Sequence, residues 1–108
     1  MDAFYALAEP RRRRIMEILA GKGRLSATDI YSNFDISPQA ISQHLKVLLD
    51  SKLLRMEKRA QQHIYEINPD SVMRIGEWSR ETLRMWNGRL DRLDRVLEDE
   101  KKKSAKKR

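Results

Sequence analysis

Cysteine is missing from this 108-residue chain, and so are a glycine-rich phosphate loop and any long apolar run. Without cysteine there is no disulfide, no thiolate zinc site and no cysteine nucleophile. The uncharged apolar runs are as short as residues 15–16 and 47–49, which excludes a transmembrane helix. The first residues are acidic and lack the apolar region of a secretory signal, so we expect a cytoplasmic protein with no membrane partner.

Charge, by contrast, is abundant. Charged residues make up 36% of the chain and the net charge is +7. Six of the 23 basic residues lie in 101–108, so residues 1–100 carry 17 basic and 16 acidic groups. This distribution predicts one domain over residues 1–100 and a basic, disordered tail over residues 101–108. Local basic patches on a nearly neutral body suit a phosphate backbone. The patches comprise residues 11–14 and then Lys46, Lys52, Arg55, Lys58 and Arg59.

Helical spacing and capping signals predict four helices in the first half of the chain. A short apolar helix over residues 2–8 is followed by one that begins near Pro10 and stops at residues 21–23, where glycines occur. Two more are predicted over residues 26–34 and 37–51, each opened by a serine that can cap it. Two short helices joined by a few residues form a helix-turn-helix.

The second half changes to strand spacing and then back to helix. Residues 54–58 alternate with period two, and residues 63–67 are rich in β-branched and aromatic side chains, which predicts a hairpin. The loop over residues 59–62 has no glycine or asparagine, so we expect a longer, mobile tip rather than a tight two-residue turn. A single helix of about 45 Å then runs from Pro69 to about Glu98. The predicted fold is mostly α with a small β-hairpin: a winged helix-turn-helix with a long C-terminal dimerisation helix.

The helix over residues 37–51 separates apolar from polar side chains. Ile41, Leu45 and Leu48 recur on one face, and the opposite face has no acid before Asp50. Glutamine can read adenine through two hydrogen bonds, and serine and lysine can reach phosphates or bases. An ordinary solvated helix surface is the alternative, but the adjoining basic hairpin favours DNA binding. The candidate DNA-binding residues are Ser37, Gln39, Ala40, Ser42, Gln43, His44, Lys46, Lys58, Arg59 and Gln61.

Three segments resemble the ArsR family of bacterial repressors. Residues 4–10, the arginines after them and residues 15–19 are similar to the family's opening. Residues 36–48, with the core Ser-x-His-Leu-Lys-x-Leu, resemble its recognition helix, and residues 65–69 resemble its second wing strand and the entry to its last helix. The resemblance covers about residues 2–97. It implies a homodimeric winged-helix repressor that binds double-stranded DNA at an operator, often in its own promoter.

Many members of this family sense metals, and here the chain departs from them. Their soft-metal sites use cysteines, and their zinc sites pair acids with histidines on the last helix. In this chain that helix carries Asp91, Asp94 and Glu98 but no histidine, and interleaved arginines indicate a solvated, ion-paired surface. We expect no metal site and no cofactor. His44 is expected to pack or to contact a phosphate, and His63 to be exposed.

The last helix carries a heptad-like apolar stripe with spacings of 3, 4, 3 and 4. Such a seam packs against another helix, most simply the same helix of a second subunit, because the preceding domain is too small to cover it. The core of the single chain is expected to take Val72, Ile75 and Trp78 instead. A weaker alternative is a small-molecule pocket between subunits, lined by Met73, Trp78, Met85 and Trp86. The candidate dimer-interface residues are Phe4, Tyr5, Leu7, Leu83, Trp86, Leu90, Leu93 and Leu97.

Other classes of function are less well supported. An enzyme is not expected, because no histidine lies near a candidate nucleophile and Asp91 and Asp94 do not form an acid–base pair in a pocket. The stronger rival is a winged-helix protein–protein interaction module without specific DNA binding, with residues 90–97 as its docking strip. RNA binding usually uses aromatic stacking platforms, which the predicted surface lacks. The operator, the regulated genes and any inducer, whether a small molecule or a protein, are not identified by these patterns.

Overall fold

The computed structural model describes residues 2–106, and side chains as far as Lys102. The described residues form two compact units that divide between Met73 and Arg74. The predicted order of four helices, a hairpin and a long helix is confirmed. The elements are α1 (Ala3–Ala8), α2 (Pro10–Lys22), β1 (Leu25–Ser26), α3 (Ala27–Tyr31), α4 (Pro38–Asp50), β2 (Leu54–Arg59), β3 (Gln62–Ile67) and α5 (Pro69–Lys106).

The capping residues act as their types predict. Ser26 and Ser37 each accept a hydrogen bond from the backbone N–H three residues on, both at 3.2 Å, and so begin α3 and α4. Gly23 ends α2 with a φ of +89°, a left-handed conformation that glycine adopts without a steric penalty. Gly21 lies inside α2, so a single glycine ends this helix.

The core of the first unit is built from the apolar faces that helical spacing predicted. The inward faces of α2 and α4 are both confirmed. Burial of each such side chain contributes about 1.5–3 kcal/mol before packing terms are considered. The largest fully buried side chains are Ile15 and Leu19 from α2, Ile30 from α3, Ile41, Leu45 and Leu48 from α4, and Leu53 ahead of the hairpin.

The hairpin belongs to a three-stranded antiparallel sheet in the order β1-β3-β2. Tyr65 of β3 lies between Leu25 and Met56 in the register and is buried, as is Leu54. One face of the wing therefore packs on the core. The sequence analysis missed β1, since a strand of two residues is too short to show a period.

The tip of the hairpin is tighter than expected. Arg59 pairs with Gln62, so Ala60 and Gln61 alone connect the strands. The predicted longer loop is wrong, and a tight two-residue turn is present instead. Ala60 has a φ of +52°, a left-handed conformation that costs a non-glycine residue about 1–2 kcal/mol, and the six-residue ladders on either side hold it there.

The last helix is longer than expected. It begins at Pro69 as predicted but runs for 38 residues to Lys106, about 57 Å, past the predicted end near Glu98. It thus continues through residues 101–106 of the expected disordered tail, while residues 107 and 108 lie outside the described part. Lysine and alanine are good helix formers, and no proline or glycine follows Gly88. Within residues 2–106, no helix is both long and apolar enough to cross a membrane.

Two side chains of α5 that were expected in the core are exposed instead. Val72 is 40% exposed and Trp78 is 57% exposed, so the prediction for these two residues is wrong. Ile75 is half-buried. The largest fully buried side chains of the first unit come from α2, α3 and α4 and from Leu53 instead.

Candidate nucleic-acid interface

An uncommitted polar row runs along the outward side of α4. Gln39, Gln43 and Lys46 are exposed, opposite the buried Ile41 and Leu45. Within the described part of the chain, these three side chains make no hydrogen bond or ion pair with protein groups. Two amides that can donate and accept together, followed by a cation, are therefore available to a ligand along one edge of the helix.

The other candidates on α4 are already engaged to different degrees. Ser37 is exposed, but its hydroxyl oxygen caps the helix by accepting from the N–H of Ala40 at 3.2 Å. Ala40 is half-buried. Ser42 is exposed, and its Oγ lies 2.8 Å from Tyr31 Oη. Ser37 and Ala40 thus shape the start of the helix more than they offer groups to a partner.

Tyr31 is a residue of this surface that the sequence analysis missed. Its hydroxyl is bonded to Ser42 on the next helix. An aromatic residue with a polar end commonly sits where one side is apolar and the other is wet. The mixed apolar and polar character of tyrosine could have indicated this position. Helical spacing alone does not show which way the hydroxyl points.

His44 points away from the polar row, toward α2. Its Nδ1 lies 3.4 Å from Arg12 Nη1, and its Nε2 lies 4.0 Å from Glu9 Oε2. Its side chain is only 17% exposed. Burial lowers the pKa of His44, the cations of Arg12 and Arg11 lower it further, and Glu9 opposes them. Of the two roles expected for His44, this geometry supports packing rather than phosphate contact.

Two arginines of the first basic cluster, residues 11–14, donate hydrogen bonds within the protein. Arg12 is 8% exposed and donates to the carbonyl oxygens of Ala6 at 2.6 Å and Tyr5 at 3.2 Å. Arg13 donates to those of Leu7 at 2.7 Å and Ala8 at 3.3 Å. These are the last four carbonyls of α1, which helix geometry leaves without a partner. Two arginines therefore close the end of α1.

The remaining two arginines of the cluster have acidic neighbours. Arg11 lies 3.8 Å from Glu9, and Arg14 lies 3.5 Å from Glu17. Arg14 and Glu17 are both exposed, whereas Glu9 is half-buried beside the exposed Arg11. Pairs at the surface contribute little to stability, but each acid partly cancels the charge beside it. Composition suggested that this cluster is a phosphate-binding patch. Its main contacts instead are hydrogen bonds that hold α1 against α2.

The wing presents its cations on two different faces. Antiparallel partners share a face, and the faces alternate along the strands. Lys58 pairs with His63 and lies on the same face as the buried Tyr65. Within the described residues, Lys58 forms no ion pair, so its charge is fully available.

The outer face of the wing carries an ion-pair cluster that involves an unpredicted arginine. Arg24 bonds to Glu57 and lies 3.4 Å from Glu66. Glu57 in turn accepts from Arg59 at 3.3 Å, and Glu66 lies 3.4 Å from Arg55. The hydrogen bonds from Arg24 and Arg59 lower the pKa of Glu57. Glu57 therefore compensates part of the charge of Arg59, which lies next to the tip.

The tip also frames a shallow cleft. Gln61, Gln62 and His63 line one side of it, and the residues that open α3, Ser26 to Thr28, line the other. The cleft volume is about 190 Å³. Gln61 and His63 are exposed, as predicted for His63. These groups stand at the wing tip rather than along the row on α4.

The candidate dimer residues are largely exposed in the single chain. On α1, Phe4 and Tyr5 are exposed and Leu7 is half-buried. On α5, the five stripe residues are between 39% and 58% exposed. Exposed apolar side chains repeating along one helix face are typical of a surface that packs on another protein surface. The stripe residues are Leu83, Trp86, Leu90, Leu93 and Leu97.

The acids of α5 do not gather with histidines. Asp91, Asp94 and Glu98 are exposed. Within the described side chains, no group of three or more histidine, aspartate or glutamate residues comes close enough to share a metal ion. Among the side chains described as far as Lys102, the ion pairing that we expected around these three acids is not formed. Glu81 and Arg84 form an ion pair earlier on the same helix.

Comparison with known proteins agrees with this arrangement. Residues 7–57 match the sequence family described as a helix-turn-helix domain. The transcriptional repressor SdpR of Bacillus subtilis is 34% identical over 71% of this chain and 84% of that protein. An arsenical resistance operon repressor of the same species is 33% identical over 64% of this chain and 66% of that protein.

Solved structures place the fold in the same group. A crystal structure of an ArsR family transcriptional regulator superposes with a TM-score of 0.71 at 25% identity, covering 78% of this chain and 86% of that one. An ArsR-like regulator from Rhodococcus sp. RHA1 superposes with a TM-score of 0.76 over 86% and 87% of the two chains, and its 24% identity shows the fold alone. This chain belongs to the ArsR family of winged-helix, DNA-binding transcriptional regulators.

Proposed function

We propose that this regulator is a homodimeric repressor that binds an inverted-repeat operator through α4 and the wing and does not respond to metal. The observation that carries the proposal is the row on α4, where Gln39, Gln43 and Lys46 are exposed and uncommitted. A regulator needs such groups free, because a side chain already bonded within the protein has little left to offer a base edge.

The side-chain amides of Gln39 and Gln43 are the groups that read bases. Glutamine can pair with N6 and N7 of adenine in the major groove, and each good two-bond contact discriminates by about 1–3 kcal/mol. Lys46 at the end of the row and Lys58 on the wing supply charge for phosphates. Phosphate contacts set register and affinity but carry no sequence information themselves.

Dimerisation follows from the exposed stripe on α5 together with Phe4 and Tyr5 on α1. A two-fold dimer presents two copies of α4, so the operator should be an inverted repeat. Its half-sites should lie about one helical turn, 34–36 Å, or a multiple of it apart. Repression then results when the bound dimer occupies promoter DNA.

Independence from metal is proposed from the side-chain chemistry of the chain. Soft metals select thiolates, and the chain has no cysteine. The last helix has no histidine to join its acids, and borderline ions such as zinc favour nitrogen and sulfur ligands. A small organic molecule or a partner protein is the better class of effector.

Selection of bound fragments from a genomic DNA library, followed by sequencing, tests the function directly. We expect an enriched inverted repeat. Gln39→Ala and Gln43→Ala should each weaken binding to it by about 1–3 kcal/mol and blur the preference at particular positions. Asn87→Ala, which removes an exposed amide from α5 rather than from α4 or the wing, is the control. No enrichment and no salt-dependent gel shift would favour a protein-interaction module instead.

A further inference from the structure

A buried arginine connects the end of α1 to the recognition helix. Arg12 is 8% exposed, and its guanidinium donates to the carbonyl oxygens of Ala6 and Tyr5 at 2.6 and 3.2 Å. The same group sits 5.3 Å from the centroid of the Tyr5 ring. Its remaining nitrogen, Nη1, lies 3.4 Å from Nδ1 of His44 on α4. One planar side chain thus spans three helices.

The chemistry of this contact determines the state of His44. Arginine carries donors only and does not lose its proton in proteins, so His44 Nδ1 must be the acceptor. The imidazole is then neutral, with its hydrogen on Nε2, the nitrogen that lies 4.0 Å from Glu9 Oε2. A protonated His44 would direct an N–H at the guanidinium. The charged groups around the ring are Glu9, Arg11 and Arg12.

The contact also constrains the orientation of the reading surface. His44 directly follows Gln43, and its side chain leaves α4 toward α2 while Gln43 faces solvent. The apolar core under α4 resists separation of the helices, but apolar contacts are non-directional. A hydrogen bond to a fixed guanidinium resists rotation of α4 about its own axis. Small misplacements of reading groups are costly, since recognition contacts need well-held geometry.

We propose that Arg12 and His44 are positioning residues for base recognition: they set the orientation of α4 from the end of α1 and do not contact DNA themselves. This rests on the proposed function, because it assumes that α4 reads bases. His44 then has a different role from Gln39, Gln43 and Lys46, although all four residues lie on α4. It also explains why a costly buried cation is placed beside the recognition helix.

Substitutions at His44 separate a specific acceptor from simple filling of space. His44→Asn places an amide oxygen near the position of Nδ1 and keeps the acceptor for Arg12. His44→Gln places its amide near the position of Nε2, and His44→Leu removes both polar atoms. The measured quantity is the ratio of affinities for the selected operator and for unrelated DNA, because changes in overall charge affect both affinities alike.

We expect His44→Asn to keep this ratio within about threefold of the parent, and His44→Leu and His44→Gln to lower it about tenfold or more, as for loss of a hydrogen bond to a charged group. The ratio for the parent should also fall between pH 7.5 and pH 5.5, since protonation of His44 removes its acceptor. In His44→Asn the ratio should stay flat. His63 is present in both proteins and so cannot account for the difference.

Arg12→Lys offers a second view, because lysine keeps the charge but cannot bond to α1 and His44 at once. Arg12 also bonds to the last carbonyls of α1, so this variant can fold poorly. The His44 variants therefore provide the deciding test of the proposal. An unchanged ratio in His44→Leu, or equal losses in His44→Leu and His44→Asn, would overturn the proposal while leaving the function intact. A parent protein with no operator preference at all would overturn both.

Discussion

Tyr31 Oη lies 2.8 Å from Ser42 Oγ, so a hydroxyl of α3 is bonded to a hydroxyl on the solvent side of α4. Each hydroxyl has one hydrogen. Whichever one donates, the other keeps its hydrogen for a further acceptor. The two side chains therefore act as one unit at the edge of the row, next to Gln39 and Gln43, and keep a single donor for a partner outside the chain.

The first prediction concerns this pair. Tyr31→Phe and Ser42→Ala should each weaken operator binding by about 1 kcal/mol, the usual net value of a neutral hydrogen bond. The double variant should lose little more than the larger single loss, because either change breaks the same unit. Fluorescence anisotropy on the selected operator measures the cycle. Fully additive losses would mean that the two hydroxyls act separately.

The second prediction ranks two neighbouring cations of the wing. Lys58 has no ion pair within the described residues, whereas Arg59 lies 3.3 Å from Glu57. Lys58→Ala should lower the slope of log affinity against log salt by about one unit, as for one lost phosphate contact. Arg59→Ala should lower it by less, because Glu57 already compensates part of that charge. Equal slopes for the two variants would contradict this ranking.

The third prediction tests the stripe on α5. Leu90→Glu combined with Leu93→Glu should yield monomers, because the seam would bury two unpaired carboxylates. Arg92→Glu combined with Arg95→Glu introduces the same acids on the opposite face of the helix and should leave the dimer intact. Light scattering at micromolar concentration distinguishes the two. A parent protein that is monomeric under these conditions would refute the homodimer.

The fourth prediction concerns pH and stability. Burial, with help from Arg12 and Arg11, lowers the pKa of His44 below 6.5 in the folded chain. The unfolded state then binds more protons between that lowered value and 6.5. Stability from this group is therefore complete above pH 6.5 and is lost as the pH falls through 6.5 toward the folded pKa.

Urea unfolding at several pH values measures this effect. The parent should lose free energy of unfolding on going from pH 7.5 to pH 5.5, and His44→Asn should lose less over the same range. Carboxylates contribute little to the difference, since their ordinary pKa values lie below this window. Identical pH profiles for the two proteins would show that His44 is not the group responsible.

The fifth prediction is that operator binding is insensitive to zinc, cadmium and arsenite. The chain has no cysteine, and its only histidines are His44 and His63, which lie on different elements. Gel shifts with and without each metal, supported by elemental analysis of the purified protein, provide the measurement. Stoichiometric bound zinc together with release of the operator on adding metal would refute the expectation.

Much of the architecture could be predicted from local features. The apolar spacing in α2 and α4, the serine caps and the Pro69 start depend on residues close together in the chain, so periodicity and capping were sufficient. The exposed polar face of α4 followed from the same spacing. The turn at Ala60 did not, because the flanking ladders impose a conformation that alanine does not favour by itself.

The status of each charged side chain required the folded chain. Residues 11–14 look like a phosphate patch in sequence, yet Arg12 and Arg13 close α1. Arg12 reaches His44 across 32 positions, and Arg24 reaches Glu57 across 33. Periodicity reports which face of an element is apolar, but whether a cation is free for DNA depends on which distant carbonyl or carboxylate packs beside it. Only packing between remote segments decides that.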